Sequence, residues 1–188
     1  MQRLRTFIAV DVPDSVRDAL AEYQKYLKRP DADIKWVRPQ SIHITLKFFG
    51  DVDSASVDEI GRSMAVGCEG VEPFRISIGG VGAFPNCHRP RVIWAGVSEG
   101  GGQLTALADR IDTQLSRLGF PREKRRFSAH LTLGRVKSPQ GVQSVIDAMQ
   151  KKPLDAGFFT TDEVILMKSD LQPTGAVYTV LRSYQLKG

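Results

Sequence analysis

Apolar and polar residues alternate in short runs along this 188-residue chain, a pattern typical of β-strands with one buried face. Elsewhere apolar residues recur every three or four positions, as they do in amphipathic helices. The alternation predicts strands over residues 4–12, 41–49, 74–78, 91–97, 126–136, 163–168 and 176–185, with a short extended piece at 35–37. The helical spacing predicts helices over 16–27, 55–66, 103–118 and 140–149, and residues 79–86 are predicted to be a glycine-rich loop.

These elements predict an α+β fold. The mixture of hairpin-length connections and helices favours largely antiparallel sheets. A doubly wound parallel sheet is disfavoured, because no glycine-rich turn follows a strand and opens a helix, and no Walker A or dinucleotide-binding sequence occurs. No long linker or low-complexity segment divides the chain, so residues 1–188 are expected to form a single domain.

One four-residue pattern occurs twice. Residues 43–46 read His-Ile-Thr-Leu and residues 130–133 read His-Leu-Thr-Leu, so two of the three histidines open a His-x-Thr-Leu motif. Each motif strand stands between two predicted helices, which indicates an internal duplication with two similar lobes. Side chains two apart on a strand share a face, so the histidine and threonine of each motif should project together while the aliphatic residues point into a core.

The paired motifs favour acid–base chemistry on a phosphate ester. Imidazole has an unperturbed pKa of about 6.5, so His43 and His130 can each give or take a proton near neutrality. A strained 2′,3′-cyclic phosphodiester suits such a pair, because one histidine can activate water while the other protonates the leaving oxygen. The hydroxyls of Thr45 and Thr132 can donate to the phosphate oxygens, and Lys47 is predicted to share their face as a further donor.

Other roles for the candidate residues are weaker. A zinc site would need three or four ligands, and no His-x-x-x-His pattern or Cys/His cluster is present. The third histidine, His88, lies in a proline-flanked segment and is expected to be exposed to solvent. Cys68 and Cys87 have no neighbours in the sequence that would activate a thiol, and two isolated cysteines are typical of a reducing compartment.

Charge and hydropathy restrict the expected location and partners of the protein. No apolar run approaches the roughly 20 residues that span a bilayer, and residues 1–14 lack a signal-peptide core, so a cytoplasmic protein is expected. The net charge of +5 favours an anionic partner. The densest basic stretch, residues 122–126, directly precedes the second motif strand. It can be a solvated turn or a surface that follows phosphates beside the active site, and the sequence leaves both open.

The chain resembles the two-histidine (2H) phosphoesterase superfamily, and within it the RNA 2′,3′-cyclic phosphodiesterases, historically called 2′-5′ RNA ligases. The resemblance covers nearly the whole chain and is carried by residues 4–10, 36–50, 84–94 and 127–135, with both motifs among them. The flanking Leu-Lys-Phe-Phe-Gly at 46–50 and Leu-Gly-Arg at 133–135 are what point to the RNA phosphodiesterase branch.

The resemblance implies two pseudo-symmetric lobes with outer helices around a central cleft, with both motifs on its floor. It implies hydrolysis of a terminal 2′,3′-cyclic phosphate of RNA to a 2′-phosphate, with no metal or other cofactor and no obligate protein partner. It also implies that His43 is the proton donor and His130 the proton acceptor, whereas the residues alone leave the two roles interchangeable. Thr45 and Thr132 match the positions that bind phosphate.

Two further residues match positions that sandwich the terminal base in the family. Phe48 and Arg135 each lie five residues after the histidine of their motif. Strict alternation would place them on the face opposite that histidine, so this role requires a twist or bulge near Gly50 and Gly134. Phe49 has the better parity and is the rival aromatic residue for the cleft.

The residues leave three other functions open. The same acid–base pair could run the reverse reaction and join RNA ends without ATP as a 2′-5′ bond. The substrate could be a small cyclic nucleotide rather than RNA. The chain could also be an RNA-binding module without catalysis, although the intact histidine and threonine of both motifs argue against it.

Overall fold

A computed structural model describes residues 2–173 and 175–188 of the chain, which form four α-helices and nine β-strands. The helices are α1 (Asp14–Leu27), α2 (Val57–Cys68), α3 (Gly101–Ser116) and α4 (Val142–Lys151). The strands are β1 (Arg3–Val10), β2 (Ile34–Trp36), β3 (Ile44–Asp53), β4 (Phe74–Phe84), β5 (Val92–Glu99), β6 (His130–Val136), β7 (Asp155–Thr161), β8 (Glu163–Gln172) and β9 (Gly175–Gln185). Short 3₁₀ turns lie at Pro39–Ser41 and Ser54–Ser56.

The strands form one continuous curled sheet in the order β7-β4-β5-β6-β3-β1-β8-β9, with β2 added to β6, and every pairing is antiparallel. The order is symmetric about its centre, because three strands follow β6 on one side and three follow β3 on the other. The predicted α+β class and antiparallel pairing are confirmed. The two lobes are therefore the two halves of a single sheet.

The helices bind the two halves together. Helix α1 follows β1 in one half but contacts α4 and β7 of the other, while α3 follows β5 but contacts α2 and β3. In α1 the side chains of Val16, Leu20, Tyr23 and Leu27 are buried at intervals of three and four residues, which is the spacing of one helix face. The main core thus lies between this helical layer and one face of the sheet, and the other face is left for the site.

The two motif strands meet at the centre of the sheet, where Ile44 on β3 pairs with Leu131 on β6. Both side chains are fully buried in the main core. Each is the second residue of its motif, so the pseudo-twofold axis of the sheet passes between the two motifs.

Each motif strand carries a β-bulge at the last residue of its motif. On β3, Thr45 pairs with Ala9 but Lys47 pairs with Ile8, so Leu46 is the extra residue. On β6, Thr132 pairs with Trp94 but Gly134 pairs with Ile93, so Leu133 is the extra residue. Because alternation has a period of two, one extra residue moves the side chains that follow it to the opposite face.

Polar side chains from the helices support both bulged strands. The buried Gln24 of α1 donates from Nε2 to the carbonyl oxygens of Val37 and Leu133, each at 2.8 Å. On the other side, Asp112 of α3 accepts a 2.5 Å hydrogen bond from Lys47 Nζ, and both side chains are buried. Such groups are costly to bury alone, so these contacts fix the strand against the helix that covers it.

Several predicted boundaries are wrong by a few residues. The first strand ends at Val10 rather than at residue 12, and the motif strands begin at Ile44 and His130 rather than at residues 41 and 126. In the first motif strand a 3₁₀ turn at Pro39–Ser41 replaces the predicted start, because proline at its first position presets helical dihedrals.

Two predictions about strands are wrong in kind. The segment 79–84 is not a loop as its composition predicts, because it continues strand β4 to Phe84. Gly82 allows the Trp94 ring to pack against the backbone of β4, since a Cβ at this position would lie 2.2 Å from that ring. Strand β7 (Asp155–Thr161) has no counterpart among the predicted strands, because at the edge of the sheet it buries too few side chains to show alternation.

Within the described residues, no helix combines the length and apolar character needed to cross a membrane.

Replacing Gln24 by leucine should destabilise the protein by about 2 kcal/mol, because the Val37 and Leu133 carbonyl oxygens each lose a donor, although the Leu133 carbonyl keeps the backbone N–H of Val37. Exposed Gln103 on α3 provides the matched control, and its change to leucine should stay within about 0.5 kcal/mol. The free energy of unfolding would be measured in urea for both variants. Equal midpoints would show that Gln24 does not support the β6 bulge.

Candidate active site

The pairing of Ile44 with Leu131 brings the four motif side chains together. In an antiparallel pair the neighbours of these two residues also lie opposite one another, so Thr45 faces His130 and His43 faces Thr132. Because Ile44 and Leu131 point into the core, all four neighbours project from the other face of the sheet. Cβ atoms of opposed residues are about 5 Å apart. The two histidines therefore stand on one diagonal of a small square and the two threonines on the other.

Backbone carbonyls orient both imidazole rings in the same way. His43 Nδ1 lies 3.0 Å from the carbonyl oxygen of Ser41, and His130 Nδ1 lies 2.7 Å from that of Ser128. A carbonyl can only accept a hydrogen bond, so each Nδ1 carries a proton and donates it. In the neutral ring Nε2 is then left as the basic atom, and in the charged ring it becomes a donor.

Two aromatic rings pack against His43. The Phe7 ring stacks on it with centroids 4.6 Å apart, and Tyr178 of β9 meets it edge-on at 5.2 Å. Burial lowers the pKa of His43 to about 4, while the Ser41 carbonyl opposes that fall. The free site therefore holds His43 as the neutral imidazole near pH 7. Burial also raises the pKa of the Tyr178 phenol, which stays protonated.

His130 opens onto a cleft of about 1490 Å³. The edge of Phe84 contacts the His130 ring with centroids 5.0 Å apart. Thr45 and Phe48 line the same cleft, together with residues 84–92, residues 102–112 of α3 and the segment 122–128. A volume of this size exceeds the usual range of roughly 300–1,000 Å³ for small-molecule pockets.

The bulge at Leu46 decides which phenylalanine faces the cleft. Beyond it Phe48 pairs with Phe7, so it lies on the same face as Thr45. Its ring is 44% exposed, and the Arg5 guanidinium lies 4.5 Å from the ring centroid. Phe49 packs edge-on against Phe120 beside the main core. Phe49 therefore does not face the cleft. The bulge that turns Phe48 toward the cleft lies before it at Leu46, and a second register shift lies at Phe49, beside Gly50.

The bulge at Leu133 turns Arg135 to the face of the sheet that carries the motif side chains. This arginine pairs with Val92, two residues from the Trp94 that pairs with Thr132, so it shares the face of the motif side chains. It is exposed, and its charge acts on both His43 and Tyr178. Arg135 thus lies at the His43 end of the site, whereas Phe48 lies at the His130 end.

Lys47 does not join the phosphate donors that the alternation predicts. Because Leu46 is bulged, Lys47 pairs with the core residue Ile8 and faces α3. There its ammonium group donates to Asp112 and, at 2.7 Å, to the carbonyl of Pro121. Lys47 and Asp112 therefore form a buried ion pair that joins β3 to α3.

The site contains residues that the sequence pattern does not single out, namely Arg5, Phe7, Phe84 and Tyr178. Arg5 and Phe7 could have been found, since they alternate with buried residues on the first predicted strand. Nothing in the sequence places Tyr178 against His43, because that contact depends on the pairing of β8 between β1 and β9.

The basic stretch is both a solvated turn and part of the cleft. Residues 121–126 are exposed, yet Arg122 to Arg126 line the cleft together with Arg89 and Arg91. The guanidinium of Arg122 is engaged by Asp109 at 2.5 Å. The stretch therefore presents cations to the space that leads to His130.

The remaining histidine and the buried cysteine take no part in the site. His88 is exposed, as predicted. Burial raises the pKa of Cys68 to about 12, which keeps it a thiol. In the described ranges no three His, Cys, Asp or Glu side chains cluster as metal ligands would.

Comparison with known sequences agrees with this geometry. The family described as LigT like Phosphoesterase matches the chain twice, over residues 10–94 and 96–178, and each match contains one motif. A protein of Methanothermobacter thermautotrophicus named RNA 2′,3′-cyclic phosphodiesterase is 37% identical over 98% of this chain and 100% of its own length. One of Archaeoglobus fulgidus with the same name is 39% identical over 97% of this chain and 100% of its own.

Solved structures show the same fold. A protein of Thermus thermophilus superposes with a TM-score of 0.79 at 31% identity, covering 98% of this chain and 99% of that one. Escherichia coli LigT, solved in complex with 3′-AMP, gives a TM-score of 0.81 at 23% identity over the full length of both chains. The two motifs on one sheet face, the double family match and the full-length relatives agree, and the chain belongs to the LigT-like 2H phosphoesterase family.

Proposed function

We propose that this protein hydrolyses the terminal 2′,3′-cyclic phosphate of RNA to a 2′-phosphate, using His43 and His130 and no metal ion. The observation that carries the proposal is the paired orientation of the two rings, whose basic Nε2 atoms are left for a group bound between the motifs. The names of the relatives, which are RNA 2′,3′-cyclic phosphodiesterases, support the same substrate class.

In the proposed reaction the neutral His130 accepts a proton from water at Nε2 as the water oxygen attacks phosphorus. His43, protonated at Nε2, gives its proton to the departing 3′ oxygen, so the P–O3′ bond breaks and a 2′-phosphate remains. Each positioned acid or base contributes about 10²–10⁴-fold to rate. Thr45 and Thr132, on the other diagonal, can donate to the non-bridging oxygens as negative charge develops there.

The low pKa of His43 constrains this assignment. A ring with a pKa of about 4 is neutral in the free enzyme, so it cannot start as a proton donor near pH 7. A bound phosphodiester carries a negative charge beside the ring, and an adjacent anion favours the imidazolium form. His43 would then take up its proton together with the substrate. The opposite assignment is equivalent in geometry, and a leaving group that needs no proton distinguishes the two.

Phe48 and Arg135 are proposed to bind the terminal nucleotide. The half-exposed Phe48 ring has one face covered by Arg5, which leaves the other for a base to stack on. Arg135, at the opposite end of the four motif residues, can stack on a base or pair with a phosphate beside His43. Their separation favours contacts to two groups of the substrate rather than to two faces of one base.

The cleft favours a polymer over a small cyclic nucleotide. It is larger than the usual small-molecule pocket, and apart from the Lys47–Asp112 ion pair its lining carries six cationic and two anionic side chains. These cations lie on residues 89–91 and 122–126, in the cleft that His130 also lines. Phosphates of an RNA strand leading to the cyclic end would neutralise this lining.

Purified protein should convert an RNA oligonucleotide ending in 2′,3′-cyclic phosphate to a 2′-phosphate in the presence of EDTA, with the product identified by phosphorus NMR. His43→Ala and His130→Ala should each lower turnover by at least about 10²-fold, because each loses one proton-transfer step. His88→Ala, at the exposed third histidine, is the matched control and should leave turnover unchanged. An untouched substrate, or loss of activity in EDTA, would contradict the proposal.

The roles of the histidines can be separated with a substrate whose 3′ bridging oxygen is replaced by sulfur. Thiolate leaves without protonation, so His43→Ala should lose less than about 10-fold on this substrate, while His130→Ala should remain impaired by at least about 10²-fold. Turnover of both substrates would be measured for both variants. Rescue of the His130 variant instead would reverse the two roles.

RNA affinity should fall steeply with added salt if the cleft binds phosphates. Changing Arg125 and Arg126 together to glutamine should reduce the slope of log K against log salt by about 1.4, since each contact to a single strand contributes about 0.7. Changing Lys28 and Lys151, exposed cations of the α1 and α4 region, to glutamine is the control and should not alter the slope. Equal slopes for both double variants would favour a small substrate.

A further inference from the structure

The two halves of the site differ in the residue that the outer strand places beside each histidine. On one side Val10 pairs with Ile44, so the next residue, Asp11, comes opposite His43. On the other side Ala95 pairs with Leu131 and Gly96 pairs with His130. Equivalent positions of the pseudo-symmetric sheet therefore carry a carboxylate beside one histidine and no side chain beside the other.

The packing of β4 on β5 excludes a carboxylate beside His130. A Cβ at Gly96 would lie 2.9 Å from the carbonyl oxygen of Gly79 and 3.3 Å from the Trp94 ring. Backbone atoms cannot give way as a flexible side chain can, so no larger residue fits without moving the strands. The difference between the two sides is thus built into the sheet.

Asp11 is held in place although it faces solvent. Its Oδ1 accepts a 2.5 Å hydrogen bond from Arg17 Nη2, and the Arg17 side chain is only 15% exposed. Arg17 also donates from Nη1 to Asp14, at 3.2 Å, at the start of α1. A carboxylate that is hydrogen-bonded to a largely buried guanidinium keeps one position, whereas an aspartate without such a partner would adopt many side-chain conformations.

The charged and titratable groups around His43 come from four elements. Asp11 follows β1, Arg17 lies on α1, Arg135 lies on β6 and Tyr178 lies on β9. Both arginines disfavour a second positive charge, and the Tyr178 phenol is neutral near pH 7. Of the described groups that act on His43 by charge, Asp11 is the one anion, and it raises the pKa of that ring against the burial that lowers it.

We propose that Asp11 is a positioning residue that favours the protonated form of His43 and so helps this histidine to act as the proton donor once the substrate is bound. The inference rests on the proposed function, in which one ring must donate and the other must accept. Asp11 does not touch the reacting atoms. Its carboxylate opposes the burial and the two arginines that disfavour a positive charge on His43, and it has no counterpart beside His130.

The direct test is the imidazole titration of the full-length protein, followed by heteronuclear NMR in wild type, Asp11→Asn and Asp14→Asn. Asp11→Asn should lower the titration midpoint of His43 by about 0.5 pH unit, as expected for the loss of one nearby charge in a water-like medium, and leave that of His130 unchanged. Asp14→Asn removes the other acceptor of Arg17 and should move neither midpoint. An unmoved His43 midpoint in Asp11→Asn would overturn the proposal.

Kinetics provide the second readout. Asp11→Asn should lower turnover of the ordinary cyclic phosphate about threefold, in proportion to the protonated fraction of His43, and leave turnover of the 3′-sulfur substrate unchanged. Equal losses on both substrates would show a structural role only and would sink the idea. The titration does not depend on catalysis, so a failure of the wild type to hydrolyse RNA cyclic phosphate would contradict the proposed function without altering the NMR result.

Discussion

The candidate active site depends on one pairing between two strands, that of Ile44 with Leu131. These side chains are fully buried, and the pairing fixes which residues lie opposite one another on the exposed face. A slip of one residue on either strand would turn its histidine and threonine into the core. The hydrophobic cost of exposing the two aliphatic side chains, about 2 kcal/mol each, therefore holds the motif histidines and threonines in register.

The two bulges extend the same surface with residues that regular strands would bury. Without the extra residue at Leu46, Phe48 would point toward α3, and without that at Leu133, Arg135 would point toward the core. The helices maintain these distortions through polar contacts, Gln24 to the Leu133 carbonyl and Asp112 to Lys47. The bulges thus enlarge the site from a square of four side chains to an elongated cleft.

Much of this arrangement could be predicted from sequence, because it follows from alternation within short segments. The repeated motif identifies His43, Thr45, His130 and Thr132 as one-face pairs, and the structure brings all four together. Alternation cannot locate the bulges, since leucine is common in regular strands and nothing local marks Leu46 as extra. That is why the pattern assigns Lys47 to the wrong face.

Contacts between distant strands escape prediction for a related reason. The role of Tyr178 depends on the position of β9 at one end of the sheet, and the edge strand β7 has little alternation of its own. The sequence shows that residue 11 is aspartate and residue 96 is glycine. That these residues occupy equivalent positions beside the two histidines can be seen only from the register of β1 on β3 and of β5 on β6.

The crossed helices have a consequence for the origin and the stability of the two halves. Because α1 covers part of the half that contains β7, and α3 covers part of the half that contains β3, neither half encloses a core by itself. A cut between the motifs would also separate β1 and β3 from β8 and β9, which complete their half of the sheet. The two halves are therefore expected to fold together, and the distance between the two imidazoles is set by the folding of the molecule as a whole.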